Sequence, residues 1–211
     1  MHYRCLQYRR KTPYRPRTQT TVAVLITDIP SGDMRPTRPL AIPRDVEDFL
    51  AHWRGIQKTG SVPTLRDFLD APPFRLQSEV AIVDVTARGE MRFRLFGTGL
   101  STIAGHDLTG TDVLSNFHAD ARAEATRIAW GAVSVPCGYY LLREMRRGPF
   151  ETAAVGIGLP LLHQKTGKLA IVGFSSATGK STDVVGGDES PFVRATELIK
   201  WIDIGAGTPN G

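Results

Sequence analysis

From Glu79 onward the hydrophobic period of the chain changes from 3.6 residues to 2, and that change decides what the chain can fold into. Val80 to Thr86 is rich in β-branched residues, and Met91 to Phe96 sets Met91, Phe93 and Leu95 against Arg92 and Arg94. With Arg88, Gly89 and Glu90 as the turn, the two segments predict a β-hairpin. Three further strands are predicted over Tyr139 to Arg146, Phe150 to Leu162 and Lys168 to Ala177, joined around Gly148 and at Thr166 and Gly167. Turns that short force antiparallel pairing. Between hairpin and strands, Gly97, Gly99, Gly105 and Gly110 punctuate an irregular stretch, and Asn116 stands ready to cap a helix over about Ala119 to Trp130. Ala121, Ala125, Ile128 and Ala129 give that helix a small-residue face able to lie close to a sheet. The expectation is an α+β fold, a five-stranded antiparallel sheet with a helical segment on one face.

Upstream of the sheet the period is helical. In Asp45 to Arg54 the residues Val46, Phe49, Leu50 and Trp53 fall at i, i+3, i+4 and i+7, an amphipathic helix that stops at Gly55. A shorter helical turn begins at Thr64, with Asp67 completing its cap, and ends before Pro72 and Pro73. The first 44 residues carry Pro13, Pro16, Pro30, Pro36, Pro39 and Pro43 among Thr, Arg and Ser, which disfavours helix and ladder alike. Within them only Thr21 to Thr27 is suited to join a sheet edge, and Met34 is an alternative start. Phe192 to Ile204, with Val193, Leu198, Ile199, Trp201 and Ile202, is read as a helix following Pro191. The chain therefore divides into a basic Pro-rich flexible arm (1–43), a main domain (44–180) and a C-terminal extension with a short helix (181–211).

A net charge of +5 invites a nucleic-acid reading until the charges are located. Residues 1–20 hold six of the 26 basic residues and none of the 21 acidic ones, so the remainder is close to neutral. Affinity for phosphate polyanions thus belongs, weakly, to the arm alone. Two cysteines, Cys5 and Cys137, form no disulfide framework and no metal-binding spacing, and they suit a reducing cytoplasm. The longest early apolar run, Val22 to Ile26, is far short of the ~20 residues that span a bilayer.

The order of elements and several short motifs resemble the stand-alone bacterial PAS family. Trp53 lies on a helix that precedes an Arg-Asp pair, Arg66 and Asp67; a strand ends in Arg-x-x-Gly-Thr at Arg94, Gly97 and Thr98; and a Gly-x-x-Leu-Thr-Gly turn follows from Gly105 to Gly110. The resemblance covers about Arg44 to Ala177 and makes residues 44–180 a PAS-like sensor domain. Where a Asp-Pro pair follows Arg-Asp in the family, this chain has Phe68, Leu69, Asp70, Ala71 and Pro72. What the resemblance implies is a cytoplasmic sensory or interaction module, without catalytic residues, whose ligand or cofactor and signalling partner the sequence leaves unidentified.

Sharper chemistry fails on spacing. Ala177 to Thr182, ATGKST, looks like a phosphate-cradling loop, but Gly173 is misplaced and Asp183 to Gly187 do not open a helix. His118 is the one histidine from which a haem in a central cavity is reachable, although a lone histidine near a helix N-terminus is more often solvated. A photoreactive flavin needs a cysteine between Gly97 and Trp130, where there is none, and Cys137 reads as a small buried hydrophobe. A small enzyme on a related cupped α+β fold is the further alternative, with Asp84 its only serious acid–base candidate, but Asp84 is better read as a polar partner for a turn or a neighbouring Arg. No catalytic or metal site is assigned. A ligand cavity is expected between the sheet and the segment Gly97 to Trp130, lined by Phe93, Leu95, Leu114, Ile128 and Tyr140. The stripe Val46, Phe49, Leu50 and Trp53 is expected to form the interface of a homodimer, and without a ligand the module would be a dimerisation scaffold. From the charge distribution, deleting residues 1–33 should abolish salt-sensitive binding to nucleic acid in a filter or anisotropy assay; binding that survives the deletion would place the basic footprint on the domain.

Overall fold

The computed structural model describes residues 41–58, 60–147, 150–177 and 191–209. The arm, the turn at Gly148 and most of ATGKST lie outside them. The hairpin forms as the period demands: β1 (Val80–Ala87) pairs with β2 (Glu90–Phe96), and Gly89 turns the chain at φ 84°. After α3 (Thr98–Ala104) and α4 (Ala119–Ser134) come β3 (Gly138–Arg147), β4 (Phe150–Leu162), β5 (Leu169–Ala177) and β6 (Val193–Ile202). Every pairing is antiparallel and the strand order is β2-β1-β5-β4-β3-β6. Two helices precede the sheet, α1 (Arg44–Gly55) and α2 (Leu65–Asp70).

The sheet has six strands, one more than the five expected, because Val193–Ile202 is a strand and not a helix. Its apolar residues misled the period count for a definite reason. Two register shifts against β3 leave Arg194 and Ile199 as extra residues on β6, and each bulge turns a spacing of two into a spacing of three. Val193 and Leu198 consequently pack on one face with Trp201, while Ile199 and Ile202 pack on the other, which imitates helical spacing. The C-terminal extension thus completes the sheet of the main domain. Asn116 also differs from expectation: α4 begins at His118 without a side-chain cap, and the Asn116 amide instead donates to the Val113 carbonyl at 3.3 Å.

Both faces of the sheet are covered. On one, α1 lays down Val46, Phe49, Leu50 and Trp53, whose exposures are 0%, 0%, 9% and 1%. Phe49 stacks on Phe174 of β5 at 5.5 Å and meets Phe74 edge-on at 5.3 Å. β4 extends beyond the last residue paired with β3, and there the Pro160 carbonyl accepts from Trp53 Nε1 at 3.2 Å. Two residues on, the Leu162 N–H donates to the Pro63 carbonyl at 2.9 Å. The lead-in to α2 therefore covers the strand end that β3 leaves open. The expected homodimer interface is corrected by this packing. Trp53 and its neighbours are used up on their own sheet, because α1 lies across β4 and β5 and buries its apolar stripe there.

On the other face α4 lies flat. Ala121, Ala125, Ile128, Ala129 and Ala132 are buried against it, and the small side chains permit close approach, as their spacing predicts. Burying each large side chain of the α1 stripe is worth ~1.5–3 kcal/mol, and truncating an aromatic leaves a cavity as well. Phe49→Ala and Trp53→Ala should each cost about 3–5 kcal/mol in urea unfolding, a large part of the ~5–15 kcal/mol that holds a domain together. The double variant should lose its circular dichroism signal; a folded double variant with altered sedimentation would restore the interface reading.

Candidate functional site

Two glycine motifs build the rim of the helical face. Gly97 follows β2 at a point where an added Cβ would lie 2.2 Å from the Ser78 carbonyl oxygen, so no other residue allows the backbone to pass. Its N–H donates to the Val80 carbonyl at 3.0 Å and its own carbonyl accepts from Ser101 N at 2.9 Å, which starts α3. The turn Gly105 to Gly110 then folds back over β2. Asp107 Oδ1 accepts from the Thr109 N–H at 2.9 Å, and Phe93 bonds Gly110 and Thr111 through its carbonyl and its N–H. An otherwise open sheet edge is thereby covered. Arg94 forks to Asp84, with Nη2 to Oδ2 at 2.7 Å and Nε to Oδ1 at 2.8 Å, which fills the structural role expected of Asp84.

Behind this rim, between the sheet and α3–α4, lies a cavity of about 450 Å³. β1 and β3 contribute Val83, Tyr139 and Leu141 to its floor, and β4 and β5 add Ala154, Gly156, Ile171 and Gly173. Phe93 and Phe96 wall the β2 end, and Ile128 and Ala129 of α4 form the roof. Leu100 and Ile103 come from α3; Ile103 is 54% exposed, so the mouth lies beside that helix. The volume and the mostly apolar lining fit a small-molecule pocket.

Of the five residues expected to line it, the structure brings Phe93 and Ile128 together there. Leu114 packs into the same core without reaching the cavity. Leu95 and Tyr140 face α1 instead. For Leu95 the cause is a bulge: Ile82 pairs with Leu95 and Val83 with Phe93, so Arg94 is an extra residue and the strand reverses faces between Phe93 and Leu95. For Tyr140 the cause is plain alternation, since Tyr139, Leu141, Arg143 and Met145 take the cavity side of β3.

That alternation brings in a charge the sequence reading missed. Arg143 of β3 lines the cavity, directly across from Thr196 of β6, and Thr152 of β4 pairs with Met145 one step along the same face. Arg143 Nε, Thr152 Oγ1 and Thr196 Oγ1 are all buried and all lack a hydrogen-bond partner. The guanidinium lies over the Phe117 ring at 5.8 Å and has no acidic partner among the described residues. Burial pulls its pKa below the usual value and pushes that of the neighbouring Tyr139 hydroxyl up. A charge at an inward strand position was a legible signal; Thr196 carried none, because its segment read as a helix.

The remaining candidates fall elsewhere. His118 opens α4 but does not line the cavity. Cys137 is fully buried beside β3, and burial, then the Asp203 carboxylate, pushes its thiol up to about 11, consistent with a packed and unreactive side chain. Among the described residues no helix is long and apolar enough to cross a membrane.

A family model described as the PAS domain matches residues 43–173, more than half of the chain. The chain belongs to the PAS domain family. The matched span runs from the lead-in of α1 into β5, and β6 lies beyond it. No curated protein matches the chain. The PAS motifs have local physical reasons here: Asp67 accepts from the Thr64 N–H at 2.9 Å while Thr64 Oγ1 accepts from Asp67 N at 3.0 Å, a capping box that starts α2. Arg66 spends itself on Asp70 at 3.2 Å on the surface. A buried guanidinium nitrogen without a partner costs stability, so in protein cleared of bound small molecules Arg143→Met should raise the thermal midpoint by about 3 °C, the scale of ~1 kcal/mol in a domain of this size. A lowered midpoint in differential scanning calorimetry would mean that Arg143 is a structural tie.

Proposed function

We propose that this PAS domain is a sensory module that binds a small ligand between its sheet and α3–α4 and passes its state to a protein partner, with no catalysis of its own. The cavity of about 450 Å³, walled by Phe93, Phe96, Leu100 and Ile128, is the observation that carries this reading. A pocket of this size, apolar with a few buried polar groups, suits recognition of one small molecule. Its surroundings suit signalling. Ala104 is the one buried residue of α3, so the helix beside the mouth is held by little apolar burial and can respond to an occupant at low cost. A ligand that favours one arrangement of α3 shifts the population toward it by its difference in affinity.

Self-association is not carried by α1, whose apolar stripe is spent on its own sheet, and the ligand-free scaffold reading loses the surface that motivated it. Native mass spectrometry of the freshly purified chain tests the proposal directly. A stoichiometric small molecule should accompany the native chain. Ile128→Trp, which extends a fully buried side chain at the cavity roof, should abolish its retention while the circular dichroism spectrum is preserved. Equal retention by the variant would remove the ligand from this cavity.

A further inference from the structure

The buried polar atoms of the cavity that lack partners, Arg143 Nε, Thr152 Oγ1 and Thr196 Oγ1, are gathered at one end. Phe93 and Phe96 belong to β2, at one edge of the sheet, whereas Arg143 and Thr196 belong to β3 and β6, at the other. Four strand spacings separate β2 from β3, ~19 Å at the ordinary distance between strands. The line from Phe93 to Arg143 thus runs across the sheet from aromatic rings to a guanidinium.

We propose that the ligand is a small amphipathic monocarboxylate whose head is held by Arg143, Thr152 and Thr196 and whose apolar body points toward β2. This rests on the reading of the cavity as a ligand site. Three buried polar atoms without partners on one face of three adjacent strands are a costly arrangement, because each forfeits its hydrogen bonds to water. A carboxylate relieves all three together. Its two oxygens match the parallel N–H groups of Nε and one Nη, and the threonine hydroxyls donate to the remaining lone pairs. Phe117 lies against the guanidinium, its ring centre 5.8 Å away.

The charge balance sets the head group at one negative charge. Two carboxylates line the cavity, Glu79 and Glu151, and one further arginine, Arg146. Glu151 pairs with Arg146 at 3.5 Å near the surface. Glu79 lies below α3, next to Gly99, and burial raises its pKa above the ordinary carboxylate range. Among the described residues that line the cavity, Arg143 alone is left with a positive charge and no acidic partner, which one carboxylate neutralises and a phosphate dianion overfills.

The test uses the full chain, cleared of any bound ligand, titrated calorimetrically with decanoate, 1-decanol and decyl phosphate. Decanoate should bind at least tenfold more tightly than either of the others. Arg143→Gln should reduce decanoate affinity at least tenfold, to the level of decanol, and change decanol affinity less than twofold; Thr152→Val and Thr196→Val should each weaken decanoate several-fold. Should Arg143→Gln melt below the assay temperature, the two isosteric threonine variants carry the test. Equal binding of decanol, tighter binding of decyl phosphate, or variants that leave decanoate affinity unchanged would each overturn the carboxylate assignment. Those outcomes leave the cavity in place as long as Ile128→Trp still blocks the probe that binds. If none of the three probes binds, the ligand class and the cavity reading fall together.

Discussion

The seating of α1 across β4 and β5 is the contact on which the rest of the domain depends. Phe49 against Phe174 and the Trp53 indole on the Pro160 carbonyl close the face of the sheet that would otherwise be open. With that face sealed by aromatic packing and a hydrogen bond at the unpaired strand end, the opposite face need not be filled to native density. The domain has its main apolar burial on the α1 side, and the space under α4 is where looser packing is tolerated.

Three of the four register shifts in the sheet then distribute the side chains between the two faces. Each adds one residue to a strand, at Arg94, Arg194 and Ile199, and each reverses the alternation beyond it. At Arg94 the reversal sends Leu95 to the α1 side and keeps Phe93 over the cavity, while Arg94 itself is free to fork onto Asp84. On β6 the reversals let one short strand supply Thr196 and Trp201 to one face and Ile199 and Ile202 to the other. The same device that completes the core positions a hydroxyl across from Arg143.

The family motifs are understood best as backbone necessities around this arrangement. Gly97 is needed because the chain leaves β2 in contact with the Ser78 carbonyl, and the Leu-Thr-Gly turn because β2 is an edge that needs covering. Leu108 of that turn also reaches the cavity, whereas the residues of β3, β4 and β6 that face it lie outside these motifs.

Much of the architecture was legible in one dimension. The switch of period at Glu79, the turn glycines and the small-residue face of α4 determined the hairpin, the antiparallel pairing and the helix, since each depends on neighbours within a few residues. The capping box at Thr64 and Asp67 and the pairing of Asp84 with an arginine belong to the same class. The C-terminal strand, the partner of the Trp53 stripe and the faces of Leu95 and Tyr140 were decided by tertiary structure. A bulge is a relation between two strands, and its position cannot be read from the alternation of either one alone. Arg143, Thr152 and Thr196 lie on strands far apart in sequence, and their shared exposure to one cavity exists only once β3 has paired with both β4 and β6.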